Sequence, residues 1–398
     1  MIENRNFSDL ATKLRSLCVF RGLLSDEVIA ALLKFLDTLG SARVSEKVDA
    51  YSAFVSALYG AKALSLAEYV RNIVFNSENI YVVSIGSGKT VSDILESSVR
   101  EELEILREAA ELSPDSLKEV IGWSGYLPAF QAEKTDLASE YFCRTASIGK
   151  YGYGIYAKYH MFRIDGSGSV IPVLNPDETR LSELIDYRHE QQIILDNTRA
   201  LLDGKPAANI LLTGDAGTGK SSTVKAVVNE LYRDGLRIIE VKKEQLHEIS
   251  AVLDALSENP LKFILFIDDL SFQKDDDNFS ALKAVLEGSV SAKSRNVVVY
   301  ATSNRRHLVK EKFSDREGDD VHFNDTMQEI ISLSERFGIQ ITFNRPDKKT
   351  YLDIVHHLAD SKGIKYDSDE LDNAAERFAL GRGTRSARAA KQFVDSLV

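Results

Sequence analysis

The chain has 398 residues, of which 44% are hydrophobic and 27% charged, enough apolar material for packed cores and a length suited to two or three domains. Its 49 Lys and Arg face 60 Asp and Glu, a net charge of −11, which excludes nucleic-acid binding by global charge and leaves only a local basic stripe open. Cys18 and Cys143 are its cysteines, too few for a disulfide scaffold or a four-cysteine zinc module.

The opening stretch MIENRNFSDL has no basic start followed by an apolar run, and residues 53–75 are interrupted by Lys62, Glu68 and Arg71. A cytoplasmic chain without a membrane span is expected. Over residues 25–39, Val28, Ile29, Leu32, Leu33, Phe35, Leu36 and Leu39 recur at helical spacing. Asp26 and Glu27 suit the first turn and Gly40 the stop. A second helix is expected over residues 91–112, with Glu101, Glu102 and Glu104 on its wet side. From Gly149 the pattern alternates, and a strand or hairpin is predicted, turning at Asp165-Gly166-Ser167-Gly168 into residues 170–173. Asn175-Pro176-Asp177 breaks the chain, and a helix follows over residues 182–202.

From Asn209 short apolar runs at residues 210–212, 238–241, 263–267, 297–300 and 339–343 alternate with amphipathic segments. That texture predicts a parallel sheet covered on both faces. After Arg345-Pro346 only helical periods remain, over residues 348–362, 368–380 and 384–397.

Gly214-Asp215-Ala216-Gly217-Thr218-Gly219-Lys220-Ser221 fits the phosphate-loop pattern G-x-x-x-x-G-K-[ST] in full. It follows the run 210–212 and opens a helix at Ser222, the context the chemistry needs. Glycines let successive backbone N–H groups turn toward phosphate oxygens. Lys220 reaches the β- and γ-phosphates, the Ser221 hydroxyl ligates Mg²⁺, and the helix N-terminus adds partial positive charge. A second glycine stretch, Ile85-Gly86-Ser87-Gly88-Lys89-Thr90, has Val83 where the first glycine belongs and reads as an ordinary turn. The run 263–267 ends in Asp268 and Asp269. Asp268 suits the outer shell of Mg²⁺, and Asp269 can polarise an attacking water.

With these motifs in place, residues 181–398 resemble the AAA+ ATPases. The closer likeness is to an uncharacterised bacterial branch of predicted AAA+ ATPases known as a domain of unknown function. It is carried by residues 267–272, by 300–308 (YATSNRRHL) and by 332–338 (SLSERFG), and extends weakly toward the N-terminus. The resemblance implies an α/β fold with a five-stranded parallel sheet in the order 5-1-4-3-2 and a C-terminal helical lid. It divides the chain into a mainly helical region 1–148, a connector 149–180, a nucleotide-binding core 181–345 and a lid 346–398.

The same resemblance implies roles for single residues. Asn304 matches the sensor that orients water, Arg336 the finger that enters a neighbouring subunit's site, and Arg385 the second sensor on the lid. Ile185 and Tyr187 lie in the adenine-side segment, and Ser222 extends the phosphate cradle. Plainer roles compete: a turn-forming Asn304, a surface ion pair for Arg336, an exposed helix-start Arg385. The family pattern has Asp-Glu where this chain has Asp268-Asp269, so one side chain is a methylene short and holds water less well unless the backbone shifts.

The expected activity is ATP hydrolysis with Mg²⁺ in a homo-oligomer that remodels or loads an unknown protein or nucleic-acid partner. The alternative is a slowly hydrolysing, nucleotide-dependent binding switch. Tyr151, Tyr153, Tyr156 and Tyr159, interleaved with cations, match a half-buried strand better than a stacking surface for single strands. The adjacent His356 and His357 cannot face one metal ion from a helix. No hydrolase-triad motif is present.

Overall fold

The computed structural model describes residues 2–271, 277–287, 295–304 and 335–397. Phe272, Asp275 and Asp276, residues 305–308, the acidic stretch 315–320 and residues 332–334 lie outside them. The chain forms two compact units, Met1–Lys158 and Tyr159–Val398.

The first unit is helical. The helix Glu27–Thr38 begins where the Asp26 carboxylate accepts from the N–H groups of Val28 and Ile29, and buries the apolar stripe read from the sequence. Its neighbours Val44–Gly60 and Leu66–Phe75 close a core in which Phe35 meets Tyr51 edge-on at 5.4 Å and Phe54 meets Phe130 at 5.7 Å. The glycine stretch at residues 85–90 follows the helix Ile80–Gly86 rather than a strand, so it is a helix end.

The helix Asp93–Ala110 corrects one expectation. Glu101 and Glu104 face water, but Glu102 is buried. Its carboxylate accepts from the backbone N–H groups of Cys18 at 2.8 Å, Val19 at 3.0 Å and Phe20 at 2.9 Å. A charge is tolerated there because three donors replace its water. The alternation after Gly149 also misleads. Residues Ile148–Tyr151 and Ile155–Lys158 are short helices, and the strand starts only at Met161. Tyr153 is buried in the core, and Tyr151 lies under the Arg144 guanidinium at 4.4 Å.

The second unit is built on one sheet of strands β1 (Met161–Ile164), β2 (Val170–Pro172), β3 (Ile210–Gly214), β4 (Leu236–Val241), β5 (Lys262–Ile267), β6 (Val297–Ser303) and β7 (Ile339–Phe343). The expected five-stranded sheet is therefore corrected to seven strands, in the order β2-β1-β4-β5-β6-β3-β7. The hairpin of β1 and β2 is not a separate connector. Phe162 pairs in parallel with Ile239, which extends the sheet beyond β4, and only β2 runs antiparallel. From β4 to β7 every pairing is parallel, in the sequence β4-β5-β6-β3-β7.

Strands β3 to β6 are buried almost throughout, which explains their unbroken apolar runs. The helices Arg188–Leu202 and Lys220–Leu231 contribute Ile194, Leu201, Val224 and Val227 to the same core. Helices Lys348–Ser361, Ser368–Arg382 and Ala387–Asp395 pack around Tyr351, Val355, Ala375 and Phe393 as a core of their own.

Candidate nucleotide site

Parallel strands end at the same edge, so β3, β5 and β6 deliver their C-terminal residues side by side. Gly214 closes β3, Asp268 and Asp269 follow β5, and Asn304 follows β6, which lies between the other two. Residues 35 to 90 positions apart in sequence thus become neighbours through strand order alone.

The loop itself is shaped by glycine. Gly214 has φ +136°, and a Cβ there would stand 2.1 Å from the Phe343 carbonyl oxygen on β7, so no side chain fits. Thr218, almost fully buried, ties the loop by donating to the Asp215 carbonyl at 2.9 Å. Lys220 opens the helix and is 5% exposed. Its ammonium donates to the carbonyls of Gly214 at 2.9 Å and Asp215 at 2.8 Å and to Asn304 Oδ1 at 3.1 Å. Burial pushes this ammonium below its ordinary pKa; the carboxylates of Asp215, Asp268 and Asp269 oppose the shift, and the Arg388 guanidinium adds to it.

Ser221 Oγ donates to Asp268 Oδ1 at 2.6 Å. Asn304 Nδ2 donates to Asp269 Oδ1, also at 2.6 Å. Lys220, Ser221, Asp268, Asp269 and Asn304 therefore belong to one cluster. Asp269 adopts φ +54°, a left-handed conformation that costs most L-residues roughly 1–2 kcal/mol. Among the described residues no three His, Cys, Asp or Glu side chains gather as a metal cage. Mg²⁺ bound with a nucleotide needs only one or two protein oxygens beside phosphates and water, and the Ser221–Asp268 pair supplies that donor set.

Ile185 and Tyr187 follow a short turn, Leu181–Glu183, in a strap that touches two bodies. Ile185 packs on the C-terminal helical core, and Tyr187 packs its ring 4.7 Å from Phe343 and donates to the Asn344 carbonyl. Burial raises the Tyr187 hydroxyl well above its ordinary pKa, so it stays protonated and a donor. Gln191 braces the strap by donating to the carbonyls of Leu184 at 3.1 Å and Asp186 at 2.8 Å. A cavity of about 400 Å³ lies beside it, lined by Leu181, Leu184, Ile185, Arg188 and His357. Ala216, Gly219 and Ser222 lie in the loop and the first turn as expected.

Arg336 and Arg385 are not brought to this cluster. Arg336 precedes β7, whose first residue Ile339 pairs with Ile210 at the start of β3. The phosphate loop follows the other end of β3, which at about 3.3 Å per residue is roughly 15 Å away. Arg336 lines a separate cavity of about 800 Å³ with Asn209, Leu253, Val297 and Gly338. The last helix starts at Ala387 because the Ser386 hydroxyl caps the Ala389 N–H, leaving Arg385 outside it. Arg385 instead grips Glu376 with two bonds, at 3.0 and 2.8 Å.

Two contributors were not read from the sequence. Arg388, in the first turn of that helix, donates its backbone N–H to the Gly217 carbonyl, and its Cβ lies 3.0 Å from where a Gly217 Cβ would stand. The period Ala389, Ala390, Phe393, Val394 favours Ser386 over Thr384 as the cap, and would have moved attention to Arg388. Thr302, 1% exposed, donates to Asp268 Oδ1 at 2.6 Å; inside an apolar strand its Thr resembles any β-branched filler.

No curated protein matches this sequence. Among solved structures, the RuvB Holliday junction branch migration motor of Thermotoga maritima aligns at 17% identity and a TM-score of 0.36, over 54% of this chain and 63% of that one. Two single-substitution variants of RuvB align at 15% identity with TM-scores of 0.38 and 0.37, over 54% and 55% of this chain and 63% and 64% of theirs. The chain thus spans less than two thirds of the length of these RuvB chains. A family profile matches residues 157–398, more than half of the chain and all of the second unit, and leaves residues 1–156 outside. The chain belongs to the family described as protein of unknown function (DUF815).

Proposed function

We propose that this chain is an AAA+-type ATPase that binds Mg·ATP at the loop 214–221 and hydrolyses it. The observation that carries the reading is the convergence of Lys220, Ser221, Asp268, Asp269 and Asn304 in one hydrogen-bonded cluster at the C-terminal edge of parallel strands. Lys220 exchanges its loop carbonyls for phosphate oxygens, and the loop N–H groups bind the rest of the triphosphate chain. Ser221 and Asp268 would hold Mg²⁺, which would supply positive charge to the phosphate oxygens. Asp269 and Asn304 orient the attacking water from the adjoining strand ends.

The lid contribution is assigned to Arg388 rather than Arg385. Support comes from its position in the first turn against Gly217 and from the commitment of Arg385 to Glu376. Arg336 acts in trans: its place at the far edge of the sheet fits a residue that serves a neighbouring copy, and an oligomer follows from that role. Such an oligomer would remodel or load a macromolecular partner, with residues 346–398 as the moving lid.

The test is phosphate release from Mg·ATP per subunit over a wide range of protein concentration, with equilibrium binding of a fluorescent ATP analogue in parallel. Specific activity should rise and saturate, Lys220→Ala should lose binding, and Arg336→Ala should lose turnover while keeping affinity. A finite rate independent of concentration would remove the trans role of Arg336. Absence of nucleotide binding by the wild-type chain would sink the ATPase reading itself.

A further inference from the structure

We infer that Thr302 is the positioning residue of the acidic strand end, clamping the turn that aims both carboxylates, so that hydrolysis depends on its hydroxyl and nucleotide binding does not. The inference rests on the ATPase reading of the site for its catalytic consequence, and on geometry alone for the clamp.

The chain leaves β5 through Asp268, Asp269 and Leu270, and Thr302 on the adjacent strand touches all three. Its hydroxyl donates to Asp268 Oδ1 at 2.6 Å. The same oxygen accepts from the Asp269 backbone N–H at 2.9 Å. Its carbonyl accepts from the Leu270 N–H at 2.7 Å. A backbone N–H can only donate, so the hydroxyl must accept from Asp269 and its single proton is committed to Asp268. β-Branching restricts the χ1 rotamer that makes this possible. Thr302 is 1% exposed, so water cannot substitute for either bond.

The clamped residue is the one with left-handed backbone, Asp269 at φ +54°. Aspartate tolerates left-handed backbone better than most L-residues, and bonds on either side hold it there. Thr302 and Leu270 supply such bonds on either side, and the direction of the Asp269 Cα–Cβ vector follows from that backbone conformation. The outcome is Asp269 Oδ1 within 2.6 Å of Asn304 Nδ2, two residues beyond Thr302. Asp268 is fixed in the same act, because the Ser221 and Thr302 hydroxyls meet on one oxygen. Thr302's own bonds go only to residues 268–270, while Lys220 keeps its two loop carbonyls besides Asn304, so loss of the Thr302 hydroxyl bears on turnover before binding.

The experiment uses the full chain with Thr302→Val, which keeps shape and removes the hydroxyl, and Thr302→Ser, which keeps the hydroxyl and removes the methyl. Loss of an outer-sphere positioning bond costs about 10–100-fold in activity. Thr302→Val is therefore expected to lower kcat by that factor, with the affinity for a fluorescent ATP analogue little changed, and Thr302→Ser to restore most of the rate. Amide hydrogen exchange over residues 268–270 should accelerate in Thr302→Val and stay near wild type in Thr302→Ser. Wild-type turnover together with wild-type exchange in Thr302→Val overturns the inference. If the wild-type chain bound no nucleotide, the ATPase reading would fail, and exchange at Asp269 would still decide the clamp: faster exchange sustains it and unchanged exchange ends it. Should Thr302→Val not fold, a Thr302→Ser variant slowed to the same extent as a general core defect, with melting temperature and kcat falling together, also overturns the assignment.

Discussion

Arg388 donates its backbone N–H to the carbonyl of Gly217 at 3.2 Å, which puts the first turn of the helix Ala387–Asp395 directly on the phosphate loop. The contact is close enough that a larger residue would press its neighbours aside by a few tenths of an ångström. Gly217 has φ +80°, and an added Cβ would lie 3.0 Å from Arg388 Cβ and 3.2 Å from Ser386 Oγ. Gly217→Ala should therefore separate loop and helix and weaken nucleotide binding by about tenfold, in line with a left-handed strain of ~1–2 kcal/mol. Titration with a fluorescent ATP analogue measures this; unchanged affinity would show that the loop does not need the helix.

The two arginines around the start of the last helix, Arg385 and Arg388, should behave differently on replacement. Arg388→Ala removes an exposed guanidinium beside the loop and is expected to cut phosphate release by about 100-fold, with the melting temperature nearly unchanged. Arg385→Ala breaks the pair with Glu376 and leaves that carboxylate, 14% exposed, without its main partner. It should lower the melting temperature more than Arg388→Ala and the rate less. The reverse ranking would return the sensing role to Arg385.

The same pair predicts a pH signature. The Arg385 hydrogen bonds hold the Glu376 carboxyl below its ordinary pKa, so folding favours its charged form. That stabilisation is complete above the ordinary glutamate value and is lost as pH falls through the lower folded value. Wild type should melt higher than Arg385→Ala at every pH above about 5, and the gap should close below about pH 4. A gap constant down to the acid limit would mean that the pair contributes packing rather than charge.

Glu102 offers a test in the first unit. Glu102→Gln keeps the shape but turns one acceptor into a donor facing the N–H groups of residues 18–20. A loss of about 1.5–3 kcal/mol is expected from the broken charge-assisted bonds. Urea denaturation of the full chain, followed by a probe in the helical unit, would register it; a change under 0.5 kcal/mol, the range of ordinary surface substitutions, would contradict the burial of that carboxylate.

Much of the second unit was legible because its local signals agree with its global arrangement. Continuous apolar runs announce strands buried on both faces, and the phosphate loop carries its strand and helix with it. The acidic residues after β5 became meaningful only in that context. What escaped the sequence depends on distant partners. The addition of β1 to the sheet rests on pairing Met161 with Ile238, and no local pattern encodes that choice. Glu102 sits in a run of glutamates that looks wholly solvated until residues 18–20 supply three donors. Thr302 was hidden for a similar reason, since a hydroxyl inside a strand reveals nothing until the facing turn is known. Arg385 was misplaced by a single decision, which of two hydroxyl residues caps the final helix.

The hairpin that widens the sheet also finishes it. Val173 directs its N–H inward to the Met161 carbonyl at 2.9 Å, so the alternate position, Pro172, faces outward. An outward amide on a border strand is an invitation to any passing extended chain, and proline has none to offer. Had the sheet stopped at β4, its boundary would have been a long apolar strand with every outward donor unclaimed. By ending instead in three residues, one of them incapable of donating, the polypeptide guards its most adhesive element against runaway strand addition.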